Sequence, residues 1–144
     1  MNYLITGATG FIGQRLIANI NGNIRVLSRN KYLNYDTVVC DFEKDLIPDS
    51  TLFGVDIVFH LAGIAHDVNY KAKAQDIYQK VNVDATIRLA ELAVKSNVRR
   101  FVFVSSVKAG GGGASDRCAT EIDQGIPEGV YGDTKREAEL KLLK

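Results

Sequence analysis

Tyr131 and Lys135 stand four residues apart, with Ser105-Ser106 upstream of them. On a helix that spacing is one turn, so both side chains share a face. A tyrosine of ordinary pKa, about 10, is a poor base near neutrality. A neighbouring ammonium favours the ionised phenol. A serine hydroxyl can hold and orient a substrate oxygen. Such a set moves a proton on or off a hydroxyl or carbonyl oxygen. Far upstream stands Thr6-Gly7-Ala8-Thr9-Gly10-Phe11-Ile12-Gly13. Glycines at these places allow a tight turn, close approach of backbone to a pyrophosphate and close packing of helix on strand. The helix that follows would offer unpaired N–H groups to the phosphates. Together the two motifs describe an oxidoreductase-type site. The plain alternatives are a helix-entry turn and a core aromatic at Tyr131. A strand before the glycines and a helix after them favour the functional reading.

The elements that must position these groups follow from hydrophobic periodicity. Strands are expected over 2–5, 24–27, 37–40, 56–60 and 101–104. A helix over 11–20 would place Phe11, Ile12, Leu16, Ile17 and Ile20 on one face. Asn21-Gly22-Asn23 would end it through left-handed backbone conformations. The longest helix, over 73–96, carries Ile77, Val81, Ala85, Leu89, Leu92 and Ala93 at helical spacing, and Asn97 can stop it. Gly110-Gly111-Gly112-Gly113 reads as a flexible loop without turn specificity. A last helix runs from Tyr131 to the end. Strand and helix alternate, which means an α/β fold: a doubly wound parallel sheet with helices on both faces. The strand order 3-2-1-4-5 would set the ends of strands one and four side by side at the switch point, where ligands bind. No internal repeat or second domain is visible, so residues 1–144 read as one Rossmann-type domain.

Bulk composition excludes several classes. Hydrophobic content of 46% and charged content of 24% are ordinary for a globular protein. A net charge of +1 points to neither nucleic acid nor an acidic membrane surface. No apolar run approaches the roughly 20 residues of a membrane span, and the N-terminus lacks a signal-peptide pattern. Cys40 and Cys118 form no C-x-x-C motif, so no metal site is expected. Cys40 fits a small core residue, and a cytoplasmic location is the default.

The end of the second strand selects the cofactor. An acidic residue there would hold the ribose 2′-hydroxyl of NAD(H), but the chain has Ser28-Arg29-Asn30-Lys31. Arg29 could pair with a 2′-phosphate, so NADP(H) is favoured and NAD(H) stays open. The bland alternative is Arg29 as a solvated surface charge.

These motifs resemble the extended short-chain dehydrogenase/reductase superfamily, in its NAD(P)-dependent epimerase/dehydratase branch. The resemblance covers essentially the whole chain. Besides the glycine loop it includes Cys40-Asp41-Phe42, His60-Leu61-Ala62-Gly63 and Val81-Asn82-Val83-Asp84-Ala85-Thr86. Phe101-Val102-Phe103-Val104-Ser105-Ser106 and Tyr131-Gly132-Asp133-Thr134-Lys135 complete it. The resemblance implies that Asp41 binds the adenine amino group, with Phe42 beside the ring. It implies that Leu61, Ala62 and Gly63 pass close to the ribose and nicotinamide. Asp41 could instead cap a loop. Asn82 is implied to shape the neighbouring backbone, and His60 reads as structural. Ser106, Tyr131 and Lys135 are implied to form a catalytic triad, with Ser105 a rival for the serine role. Lys135 is also implied to hold the ribose hydroxyls.

The implied substrate is a nucleotide-linked sugar, or one linked to a lipid diphosphate. The segment Val107-Lys108-Ala109-Gly110 resembles a subgroup that holds both 4-epimerases and 4-keto-sugar reductases. Arg29 leans toward the reductase and family frequency toward the epimerase. A dehydratase ranks last, since Val107 stands where an acidic residue is usual. Members continue into a substrate-gripping C-terminal domain, so the chain is expected to be truncated before it. The cofactor would then bind and sugar turnover would need the missing part. Homodimers pairing the 73–96 and 131–144 helices are implied as well. The rival class is a non-catalytic NADP-binding sensor or scaffold, against which retention of Tyr131 and Lys135 argues.

Overall fold

The computed structural model describes residues 1–65, 74–111, 118–120 and 122–144, with residue 74 described by its backbone alone. Five strands form one parallel sheet in the order β3-β2-β1-β4-β5, as expected. They are β1 (Asn2–Thr6), β2 (Asn23–Ser28), β3 (Asp36–Val39), β4 (Ile57–His60) and β5 (Arg100–Phe103). Each boundary lies within about a residue of the expected one. The helices are α1 (Phe11–Asn19), α2 (Ala74–Tyr78), α3 (Ala85–Lys95), α4 (Val107–Gly110) and α5 (Gly129–Leu142). A short 3₁₀ turn, Asp49–Leu52, lies between β3 and β4.

The chain divides into two compact units, residues 1–63 with 88–104, and residues 64–87 with 105–144. The first holds the sheet. Successive residues of a strand point to opposite faces, and the core follows that alternation. Leu4, Leu27 and Val58 pack with Leu89, Leu92 and Ala93 of α3, and with Cys40, Ile47, Leu52 and Val55. Their neighbours Ile5 and Val26 pack instead with Ala8 and with Ile17 of α1. Both faces of β1 are therefore covered, and Leu4, Ile5 and Thr6 are fully buried. Each fully buried Leu or Ile contributes roughly 1.5–3 kcal/mol of transfer free energy. Cys40 is a core residue, and burial, aided by the Asp45 and Asp41 carboxylates, raises its thiol pKa to about 11.

The second unit is built from α2, α4 and α5 and the segment between α2 and α3. That segment, Gln79–Asp84, is a π-helical turn. The expectation of one uniform α-helix over 73–96 is corrected there. Periodicity cannot show a single inserted residue, because the apolar stripe resumes on either side of it. The expected start at Lys73 lies outside the described residues.

Four further expectations need correction. Phe11 is 74% and Ile12 55% exposed, so the first turn of α1 does not share the buried face of Ile17. The Arg15 guanidinium instead sits 3.5 Å above the Phe11 ring. The helix stops at Asn19, where Ile20 turns extended and its N–H reaches the Leu16 carbonyl. Of the three residues expected to turn left-handed there, Gly22 alone has a positive φ. Gly110 belongs to the short helix α4, and Gly111 is left-handed at φ 78°. A β-carbon on Gly111 would strike the Ile126 carbonyl, so its conformation is dictated by close packing. Gly112 and Gly113 lie outside the described residues. Finally, α5 begins at Gly129, two residues before the expected Tyr131, and ends at Leu142. No described helix is long and apolar enough to cross a membrane.

Asn97 closes α3 as expected. At φ 55° it is left-handed. Its N–H bonds the Val94 carbonyl at 3.1 Å and that of Val98 bonds Ala93 at 2.9 Å, a Schellman pair. Asn97→Gly should leave stability within about 0.5 kcal/mol, while Asn97→Ala should cost about 1 kcal/mol or more. Urea midpoints measure both, and equal midpoints for the two variants would contradict this account.

Candidate active site

The glycine loop occupies the first unit. Gly7 follows β1 with φ 70°. A β-carbon there would lie 2.7 Å from the Ala62 nitrogen and 2.8 Å from the Leu61 carbonyl carbon. The carboxyl ends of β1 and β4 therefore meet at a distance that no side chain fits. Thr6 ties them further: its Oγ1 accepts from the Ala62 N–H at 3.0 Å and lies 2.7 Å from His60 Nδ1. His60 is fully buried among Phe42, Phe101 and Phe103. It is structural, as expected. Thr6 went unremarked in the sequence, although a hydroxyl at the last strand position before the glycines was the signal.

Gly10 accepts from the Gln14 N–H and donates to the Gly7 carbonyl, both at 3.0 Å. It is the N-cap of α1 and makes no side-chain cap. A β-carbon on Gly13 would collide with the Gly7 carbonyl oxygen. Thr9, Phe11 and Ile12 are exposed around this uncapped helix start. Helix-start N–H groups without a side-chain partner suit an anion such as a pyrophosphate, so these residues fit a dinucleotide.

The other residues expected at the cofactor lie at and beyond the ends of β2 and β3. Ser28 ends β2 and its hydroxyl donates to the Asn30 carbonyl. Arg29 is exposed beyond it. Asp41 caps its own loop: Oδ1 accepts from the Glu43 N–H at 3.1 Å, and Lys44 pairs with Oδ2 at 3.3 Å. Partial burial raises its pKa, but the Glu43 hydrogen bond and the Lys44 and Arg29 charges outweigh this and hold it below the usual value. The Asp41 carboxylate therefore braces its own loop. Phe42 packs on the core beside His60.

The residues expected to act as acid and base lie in the second unit. Ser106 is the N-cap of α4, its Oγ accepting from the Lys108 N–H at 3.3 Å; its own proton takes no part in that bond. The rival, Ser105, has a buried hydroxyl without a partner among the described residues. Helix α4 meets α5 at Gly132, where a β-carbon would lie 2.5 Å from the Lys108 carbonyl oxygen. That oxygen accepts from the Glu128 N–H at 2.9 Å. The glycine after Tyr131 is thus required by packing.

Tyr131 and Lys135 both lie on α5, one turn apart. Tyr131 is half-buried and Lys135 only 3% exposed. Burial lowers the Lys135 pKa to about 8, against the opposing pull of the Glu139 carboxylate. Asn82, in the π turn, is 1% exposed. Its Oδ1 accepts from the Ile64 N–H at 2.8 Å, and its Nδ2 donates to the Ile64 carbonyl and to Thr134 Oγ1, each at 3.1 Å. The backbone-shaping part expected of Asn82 is visible here.

Lys135 has a pH signature. Its folded pKa lies below the unfolded one, so between about pH 8 and 10.5 the folded state binds fewer protons. Its contribution to stability therefore rises with pH through that window. Lys135→Met should abolish the rise in stability between about pH 8 and 10.5. Denaturation across pH checks this, and a rise that persists in the variant would refute it.

The model of the NAD dependent epimerase/dehydratase family matches residues 3–143. UDP-glucose 4-epimerase from Vibrio cholerae is 35% identical over 150 residues, covering 97% of this chain and 45% of that protein. The N-acetyl-alpha-D-glucosaminyl-diphospho-ditrans,octacis-undecaprenol 4-epimerase of Escherichia coli O157:H7 is 30% identical, over 96% of this chain and 41% of its own length. Among solved structures, MoeE5 in complex with UDP-glucose and NAD superposes with a TM-score of 0.84 at 32% identity, over 99% of this chain and 48% of MoeE5. The chain spans about half the length of the relatives it matches. With the glycine loop, the strand order and these matches in agreement, the chain belongs to the NAD-dependent epimerase/dehydratase family.

Proposed function

We propose that these residues form the dinucleotide-binding, acid/base-bearing domain of an NAD(P)-dependent enzyme that works at C4 of a nucleotide-linked hexose. The observation that carries the reading is a buried ammonium at Lys135, one helical turn after Tyr131. A buried charge is costly to keep without a task. The relatives support the substrate class, since one is a UDP-glucose 4-epimerase and another acts on a lipid-diphosphate-linked sugar.

A nicotinamide dinucleotide, when bound, takes up and returns a hydride. The chain's residues do the rest. The α1 N-terminus and the Gly7–Gly13 loop hold the pyrophosphate. Tyr131 takes the proton from the sugar 4-oxygen and gives it back. Lys135 favours the ionised phenol and holds ribose hydroxyls. Ser106 orients the 4-oxygen through the proton left over from its capping bond. The orphan hydroxyl of Ser105 makes that residue the second candidate for the orienting role. We assign epimerase as the first activity and 4-keto-sugar reductase as the second. We assign the grip on the sugar to the further length that the relatives have. A homodimer through α3 and α5 belongs to the same reading, with Leu140 and Leu143 exposed on and beside α5. So does a cytoplasmic setting, where thiols such as Cys40 stay reduced.

In the full-length protein, Tyr131→Phe should reduce interconversion of UDP-glucose and UDP-galactose by about 10²-fold or more, with cofactor affinity kept. Ser106→Ala and Ser105→Ala in the same assay separate the two serines: the orienting one should lose the more activity. Turnover unaffected by Tyr131→Phe would sink the catalytic reading.

Arg29 carries the preference for NADP(H). It is exposed at the end of β2, where a 2′-phosphate could pair with it. Its charge also acts on Asp41, and MoeE5 holds NAD; both temper the preference. Calorimetry should show NADP⁺ binding about tenfold tighter than NAD⁺, and Arg29→Ala should erase the difference. Equal affinities in the wild type would overturn it.

A further inference from the structure

Thr134 sits inside the Tyr131–Lys135 turn, and the acid/base reading gives it no task. Its side chain is 4% exposed and engaged on both sides. The hydroxyl donates to the Val130 carbonyl at 2.8 Å, with the Tyr131 carbonyl at 3.1 Å sharing the proton. It accepts from Asn82 Nδ2 at 3.1 Å. Asn82 holds the backbone N–H and carbonyl of Ile64, the residue directly after Leu61-Ala62-Gly63. Both amide donors and the acceptor of Asn82 are thereby engaged.

This chain of bonds has one possible direction. Asn82 Oδ1 must face the Ile64 N–H, so Nδ2 must face Thr134. Thr134 must therefore accept from Asn82, and its single proton is left for the carbonyls of the first turn of α5. No amide flip or hydroxyl rotation gives a second satisfied arrangement. The bonds run from the Ile64 backbone to the turn that carries Tyr131.

We propose that Thr134 is a positioning residue. Its hydroxyl, through Asn82, sets the rotational phase of the first turn of α5 against the Ile64 backbone, and so aims the Tyr131 phenol and the Lys135 ammonium. The proposal rests on the acid/base role given to Tyr131. Groups that act on a reacting atom must be held within about 0.5 Å, and a helix start free to rotate cannot hold a phenol that closely. A threonine suits the place because its stiff β-branched side chain presents the hydroxyl in few orientations.

The test uses the full-length protein and three variants. Thr134→Val keeps the shape and removes both hydrogen bonds. Thr134→Ser restores the hydroxyl. Tyr131→Phe reports on the acid/base reading itself. With UDP-glucose as probe, Thr134→Val should lower kcat by about tenfold or more, leaving KM and dinucleotide affinity within about twofold. It should also displace the pH profile of kcat, and Thr134→Ser should restore both rate and profile. Wild-type kcat in folded Thr134→Val beside an inactive Tyr131→Phe would overturn the positioning role and leave the acid/base reading standing. An active Tyr131→Phe would overturn both. Should Thr134→Val fail to fold, Thr134→Cys, similar in size with a weak donor, takes its place. If the wild type does not turn over UDP-glucose, hydrogen exchange of the Ile64 amide decides. Faster exchange in Thr134→Val but not in Thr134→Ser supports the link, and unchanged exchange overturns it.

Discussion

Gly7 and the Ala62 backbone come so close that a β-carbon would stand 2.7 Å from the Ala62 nitrogen, and much of the first unit depends on that approach. It occurs where the carboxyl ends of β1 and β4 lie side by side in the 3-2-1-4-5 order. Thr6 bonds to Ala62 and His60 and holds the two strand ends together with a buried, satisfied polar pair. Gly13 repeats the constraint on the helix side, where only a hydrogen fits against the Gly7 carbonyl. The turn between β1 and α1 is thereby left with almost no freedom, and the start of α1 is uncapped by any side chain. Close backbone packing thus shapes a helix start of the kind that suits an anion, without a charged side chain in the loop.

The second unit shows the opposite strategy, in which polar groups are buried deliberately. Asn82, Thr134 and Lys135 are each less than 5% exposed. Asn82 and Thr134 are satisfied by one another and by backbone, so their burial brings rigidity at little net cost. At Lys135 the main effect of burial is desolvation, which lowers its pKa to about 8. A lysine kept so far below its ordinary value is a stability sacrifice of the kind found at functional sites. The π turn that holds Asn82 fits the same pattern, since such insertions cluster where a helix must aim a particular side chain.

Much of this was legible in the order of residues. The parallel sheet followed from alternation of strand and helix, because parallel strands need crossovers, and the order 3-2-1-4-5 was the doubly wound order expected of it. The glycine positions and the Tyr131–Lys135 spacing were explicit. Other features stayed hidden for physical reasons. The exposure of Phe11 and Ile12 depends on where α1 sits over the sheet, which periodicity does not state. The helical turn at Gly110 arises because Ser106 caps it and the 125–128 backbone packs against it, through the Gly125-to-Gly110 and Glu128-to-Lys108 bonds. A run of glycines alone suggests the reverse. The bond from the Glu43 N–H to the Asp41 carboxylate was likewise not stated by the motif.

The sequence by itself determined the family and the sheet and named candidate site residues, because short motifs and hydrophobic period are local properties of the chain. Tertiary structure decided which hydroxyls are free and which are engaged, how deeply Lys135 is buried, and why Gly132 and Thr134 stand inside the Tyr131–Lys135 turn. Those are outcomes of packing between segments distant in sequence: Asn82 meets Thr134 across 52 positions. No pattern within one segment encodes a neighbour that only folding supplies.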